Sequence, residues 1–193
     1  MTGLAAGFVD PAHDAQRLFR AILDAFSQPG RILHLPGAPG GPGTISPATA
    51  ACLLTLADRD TPLWLAPELE TAAVRDFIRF HVGSPRAAER ADATFAVLTQ
   101  GVTSFEGFTI GTDSYPDRSA TLLIEVRALG EGRPRTWRGP GIDGAAQVAV
   151  DGPAEAFWRA CSENHALFPC GVDVVFAAGS QLLALPRSIA VEG

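Results

Sequence analysis

Two sets of residues in this chain have types and spacings that could do chemistry, and a third imitates a known motif. Arg118 and Ser119 follow Pro116 in a Pro-containing loop just before a strand-like run, Arg138 adjoins a Gly139-Pro140-Gly141 turn, and Asn164 lies farther along. Guanidinium forks beside free backbone N–H groups suit the oxygens of phosphate or phosphonate. Arg118, Ser119, Arg138, Gly139, Gly141 and Asn164 therefore form a candidate ligand- or interface-binding set, with no catalytic residue singled out. The competing and commoner outcome for each arginine is an ion pair with a local carboxylate. Cys161, His165 and Cys170 form a Cys-x3-His-x4-Cys group, its first two members one helical turn apart. Zinc would accept them, but a closed site needs a fourth ligand, which only Cys52 or a carboxylate could supply. Buried thiols beside a helix-face histidine are far commoner, and no metal is expected. Gly139 to Gly144 satisfies G-x-G-x-x-G. That fingerprint needs a strand before it and a helix after it, whereas Ala146 to Val150 reads as a strand; a tight turn between two strands is expected instead.

Other chemistry is removed by what the chain lacks. All 15 basic residues are arginine, so no lysine can form a Schiff base with pyridoxal phosphate or complete a Gly-Lys-Ser/Thr triphosphate loop. No cofactor is expected. His13, His34, His81 and His165 accompany no G-x-S-x-G elbow, and no pair of carboxylates stands out by spacing.

The elements that position these residues begin with a helix from about Pro11 to Gln28. Asp10 caps it, Pro11 fits its first position, and Pro29-Gly30 stops it. Ala15, Leu18, Phe19, Ile22, Leu23 and Phe26 make its apolar stripe. Arg31 to Leu35 alternates like a strand, Gly37 to Gly43 is a turn-rich loop, and Ser46-Pro47 opens a second helix through about Ala57. Leu63 to Leu65 reads as a brief buried strand. A helix from Glu68 to His81 follows, its acids early and its bases late, as the helix dipole prefers. Thr94 to Thr99 and Thr121 to Val126 read as strands joined by a Gly-rich connection, and Arg135 to Arg138 and Gln147 to Val150 as two more. A helix from Pro153 to Leu167, with Phe157, Trp158, Cys161, His165 and Phe168 on one side, precedes strands at Val172 to Phe176 and Gln181 to Leu185. Helices and strands interleave, which predicts one domain over residues 1–193: an α/β fold of three layers, α/β/α, with a mixed sheet.

Composition agrees with such a fold. The 193 residues are 47% hydrophobic, enough for a proper core, and the net charge is −6. The densest basic stretch, Arg133, Arg135 and Arg138 around Trp137, is too small for a nucleic-acid surface and suits a solvated strand face or an anion contact. No apolar run approaches the ~20 residues a bilayer needs, and the first residues lack a signal-type segment. A cytoplasmic protein with no nucleic-acid or membrane partner is expected, its three cysteines reduced.

An ordered series of short blocks carries a resemblance. Gly7-Phe8, Asp10-Pro11, Ala15-Gln16-Arg17 and Gln28-Pro29-Gly30 come first, followed by Thr61 to Leu65. Next are Gly111-Thr112, Pro116 to Thr121 and Gly139 to Ile142. Phe157-Trp158, Asn164, Phe168-Pro169, Gly171 to Asp173 and Leu185 to Arg187 complete the set. Together they resemble the H-subunit (PhnH-like) family of the carbon–phosphorus lyase machinery. The resemblance implies a shortened pyridoxal-phosphate-dependent transferase fold without the cofactor site, a homodimer, and G, I and J subunits as partners in a core complex. It also implies an accessory role in organic phosphonate catabolism, where ATP and methylphosphonate are converted to ribose 1-methylphosphonate 5-triphosphate before carbon–phosphorus cleavage. The nucleosidase-like and radical steps would then belong to other subunits. A small-ligand binding module for phosphonate or nucleotide, or a transferase active alone, is the alternative.

Overall fold

A computed structural model describes residues 4–193. Helix α1 spans Pro11–Ser27. The Asp10 carboxylate accepts from the His13 N–H at its start, and the chain leaves at Gln28 before Pro29-Gly30. Its buried face is narrower than the apolar stripe. Leu18 and Ile22 are enclosed with Ala25 and Asp14, whereas Phe19 and Leu23 remain 44% and 51% exposed. Helix α2, Pro47–Leu56, is capped by Ser46 and buried from Ala48 through Leu53, as an apolar helix with no polar face must be.

The helix expected from Glu68 starts later. Thr71 caps α3, Ala72–Phe77, by accepting from the Val74 N–H, and a π turn at Ile78–Val82 continues it to Gly83. Glu68 and Glu70 precede it. The Glu70 carboxylate is occupied by Arg86 at 2.9 Å, so a distant ion pair, not the helix dipole, accounts for its place.

Among the described residues eleven strands follow one another: β1 (Leu33–His34), β2 (Leu63–Leu65), β3 (Phe95–Thr99), β4 (Ile110–Thr112), β5 (Tyr115–Ser119), β6 (Thr121–Glu125), β7 (Ala128–Arg138), β8 (Ala146–Asp151), β9 (Asp173–Ala178), β10 (Gln181–Leu185) and β11 (Ala190–Glu192). Helix α4, Glu155–His165, lies between β8 and β9. The main sheet is mixed, in the order β1-β10-β9-β6-β3-β2, with β2, β3, β6 and β9 parallel and β10 antiparallel to β9. The expected strands around Arg135 and Gln147 do not join it. They belong to a separate antiparallel sheet, β11-β7-β8, and β4-β5 form a third, two-stranded piece.

Register assigns the faces. Trp64, Ala96, Leu122 and Val174 pair in line across β2, β3, β6 and β9, so they share a face with Leu98, Ile124 and Phe176. Helix α4 and the small sheet cover that side: the Phe176 ring lies 5.6 Å from Phe157, 5.8 Å from Trp158 and 6.4 Å from Trp137. Each such aromatic pair adds about 0.5–1.5 kcal/mol beyond its area burial. The opposite face, with Leu123, Glu125 and Val175, meets α2, and α1 packs on α2.

Both edges of the main sheet are short. Among the described residues, only Leu63 of β2 has an outer partner: its N–H donates to the Pro85 carbonyl, and its carbonyl accepts from the Ala87 N–H. At the other edge β1 contributes two residues and stops before Pro36.

Candidate functional site

The six sequence-selected residues fall into two separate groups. Arg138 ends β7, and Gly139 and Gly141 lie in the turn before β8, so the G-x-G-x-x-G stretch is the tight inter-strand turn that its flanks predict. The glycines are needed for packing. A Cβ on Gly141, at φ 86°, would sit 2.4 Å from the Ser27 carbonyl oxygen at the end of α1, and one on Gly139 would meet Ile189 and the Ser188 backbone. Arg138 is exposed and lies 3.8 Å from the Glu192 carboxylate of β11.

Arg118 and Ser119 are in the second group, and not in the loop expected for them. They end β5, in a hairpin with β4 that packs against the amino ends of β6 and β9. Sequence reading missed this hairpin because Gly111, Asp113 and Pro116 weaken its strand signal. Its anchors come from far along the chain: the Gly171 N–H donates to the Ile110 carbonyl, and Arg187 donates to the Pro116 carbonyl at 2.6 Å. Arg187 is itself forked onto Asp173, with contacts of 2.5 and 3.2 Å. Arg118 stacks over the half-exposed Tyr115 ring at 4.2 Å.

Asn164 is buried, and its amide clasps the backbone of Val172. Its N–H donates to the Val172 carbonyl at 2.9 Å, and its Oδ1 accepts from the Val172 N–H at 2.8 Å. That clasp adjoins Gly171 and so lies next to the hairpin's anchor. The segment around Arg187 and Ile189 separates the two groups, and among the described residues no hydrogen bond or ion pair joins them directly.

Other sequence features resolve into structure. Cys161 is buried, and burial raises its thiol pKa, His165 Nδ1 lies 3.0 Å from the Arg187 carbonyl, and Cys170 Sγ lies 3.7 Å from Asp113 Oδ1. The three turn to different partners, and among the described residues no group of three His, Cys, Asp or Glu side chains could hold a metal ion. The Arg133–Arg138 stretch is not a solvated face throughout: Arg135 is 5% exposed, pairs with Glu155 at 2.5 Å and lies 4.9 Å over Trp158.

Arg90 was missed altogether. It opens a 3-10 turn at Arg90–Asp92, and its guanidinium carbon lies 5.1 Å from the Trp64 ring and 5.0 Å from the Phe108 ring. It reaches a cleft of about 270 Å³ beyond the carboxyl ends of β2 and β3. The pairing of Arg90 with an aromatic at 64 and another at 108 depends on how the loops carrying Arg90 and Phe108 fold against β2, which no local pattern reports.

Fold and site together describe a mixed α/β protein whose two candidate arginines, Arg118 and Arg138, sit on two different sheets. The chain belongs to the PhnH family of bacterial phosphonate metabolism proteins, whose model matches residues 6–192. It is 39% identical over 190 residues to a Rhizobium meliloti protein named alpha-D-ribose 1-methylphosphonate 5-triphosphate synthase subunit PhnH, covering 97% of this chain and 95% of that one. It is 33% identical over 198 residues to a Stutzerimonas stutzeri protein named putative C-P lyase subunit protein HtxG, covering 97% and 93%.

Proposed function

We propose that this chain is an accessory subunit of a carbon–phosphorus lyase core complex, supporting formation of ribose 1-methylphosphonate 5-triphosphate from ATP and methylphosphonate. The observation that carries this reading is the match along nearly the whole chain to relatives that are themselves named as subunits. In this reading it acts as one PhnH-like domain, a homodimer in the cytoplasm with G, I and J partners, on a fold akin to a shortened pyridoxal-phosphate-dependent transferase. Surface chemistry supports docking: Phe19, Leu23, Phe80 and Leu167 are large apolar side chains left exposed, and the stacked Arg118–Tyr115 pair on the hairpin has the residue types that interfaces favour. Among the described residues no helix is long and apolar enough to cross a membrane.

The reading is tested by tagging this chain, co-expressing it with candidate G, I and J subunits, and passing the product through gel filtration. A stoichiometric complex is expected, weakened by Arg118→Glu and by Phe19→Asp. A chain that elutes alone while the other three assemble without it would refute the reading.

A further inference from the structure

We infer that the cleft beside Arg90 is a binding site for the tetrahedral oxyanion group of a small phosphonate or phosphate. The argument starts with the guanidinium. Arg90 lies over Trp64 and Phe108, whose rings meet edge to face at 5.8 Å, and its Nη1 donates to the Glu106 carbonyl at 3.1 Å. These contacts fix the plane and direction of the fork without neutralising it. Among the described residues no carboxylate lies within ion-pair distance of Arg90, whereas Arg17, Arg86, Arg127, Arg135 and Arg187 each hold one at 2.9 Å or closer. A positioned, uncompensated arginine at a polar cleft is a half-built anion site.

The remaining walls supply donors of the right kind. Thr99, Thr103 and Ser104 line the cleft, and Ser104 Oγ already accepts from the Glu106 N–H, so its hydroxyl proton is directed elsewhere. Glu68 stands exposed on the rim and sets the opposite charge there, favouring a compact anion seated deep against Arg90 over an extended polyanion. A volume of about 270 Å³ holds a phosphonate with a small substituent and leaves little room for a nucleoside triphosphate. The cleft opens beyond the carboxyl ends of the parallel strands β2 and β3, where Ala66, Thr99 and Gly101 lie. The choice of phosphonate as the physiological oxyanion rests on the subunit reading; the anion site does not.

The test is calorimetric titration of the isolated full chain with methylphosphonate and, separately, with inorganic phosphate, using sodium acetate as the planar control. Saturable binding of methylphosphonate is expected, with acetate silent. Arg90→Gln weakens it by roughly tenfold or more, since a hydrogen-bonded charge is lost. Thr103→Val weakens it several-fold without touching the contacts that hold Arg90, which guards against a folding defect in the arginine variant. Arg59→Gln, a change at an exposed arginine away from the cleft, leaves it unchanged. No saturable heat with either methylphosphonate or phosphate, or equal affinity in Arg90→Gln, would overturn the inference. Binding of phosphate alone would overturn its phosphonate half. Methylphosphonate binding in a chain that fails to join the complex would keep the site and sink the subunit reading, and a complex without binding would do the reverse.

Discussion

Replacing Asn164 by alanine separates its two possible roles, ligand contact and internal clasp. In the structure both ends of its amide are engaged with Val172, at 2.9 and 2.8 Å, and Val172 is fully buried. Alanine strands a buried N–H and a buried carbonyl, each costing about 1–3 kcal/mol when no partner replaces the amide. Partial relaxation and entry of water reduce the sum, so a loss of about 2–4 kcal/mol is expected. For a chain of this size each kcal/mol lowers the melting temperature by about 2–4 °C, which gives a drop of roughly 5–15 °C. Urea unfolding followed by circular dichroism measures the free energy, and a thermal scan gives the second value. Asn164→Asp keeps the acceptor for the Val172 N–H but turns a charged oxygen on the Val172 carbonyl, so it is destabilised at neutral pH and recovers when acid supplies a proton to donate. The reasoning fails if Asn164→Ala unfolds within about 0.5 kcal/mol of the parent, the range of an ordinary surface change. Loss of phosphonate binding at unchanged stability would return Asn164 to the ligand-binding set.

Three further outcomes are expected. Burial holds the Glu125 carboxyl above its usual range, although Thr49 and the Ser46 N–H donate to it. The folded state then binds this proton more tightly than the unfolded chain does. Stability from this group is fully present below the ordinary glutamate pKa and declines as pH rises toward the folded value, so urea unfolding across pH 4 to 8 shows parent stability falling relative to Glu125→Gln; the opposite slope would count against burial as the cause. Burial, aided by Glu125, pushes the Cys52 thiol up to about 12, and burial also raises Cys161, while Cys170 is partly accessible. A disulfide reagent should therefore titrate Cys170 rapidly and the other two only on unfolding, as Cys170→Ser will show by removing the fast phase. Arg187→Ala releases the Pro116 carbonyl and leaves Asp173 unpaired, costing about 3–5 kcal/mol if the pair behaves as a buried one. Hydrogen exchange in residues 110–119 should accelerate more than in β10, and uniform acceleration would show that the arginine does not specifically hold the hairpin.

The parts of the fold legible in the sequence are those with local chemical punctuation. Asp10-Pro11, Ser46-Pro47 and Pro29-Gly30 mark helix ends through caps and fixed dihedrals, and they do so within a residue or two. The turn at Gly139 was legible because a strand pattern followed it. The β4-β5 hairpin, the separation of β7, β8 and β11 into their own sheet, and the late start of α3 were not. Each depends on partners far along the chain: Arg187 and Gly171 for the hairpin, Trp137 against Phe176 for the small sheet, Arg86 for Glu70. The candidate site was less legible still. Asn164 offers a polar amide that any sequence reading would assign outward, and only burial shows it turned onto Val172. Arg90 carries no motif, and its significance comes from two rings, Trp64 on β2 and Phe108 in a loop, that the chain brings beside it.

The short edges of the main sheet bear on how this chain avoids the wrong neighbours. A protein that keeps Phe19 and Leu23 exposed is at risk of aggregation while it waits for its intended contacts. Strand edges would aggravate that risk, because an open row of amides templates pairing with any extended chain. Here the outer rim of β2 is plugged after one residue by a segment whose Pro85 has no N–H to offer, and the opposite rim is a two-residue stub that ends before Pro36. In the main sheet, stickiness is thereby confined to side chains, whose fit depends on shape, and withheld from the backbone, whose pairing recognises no sequence.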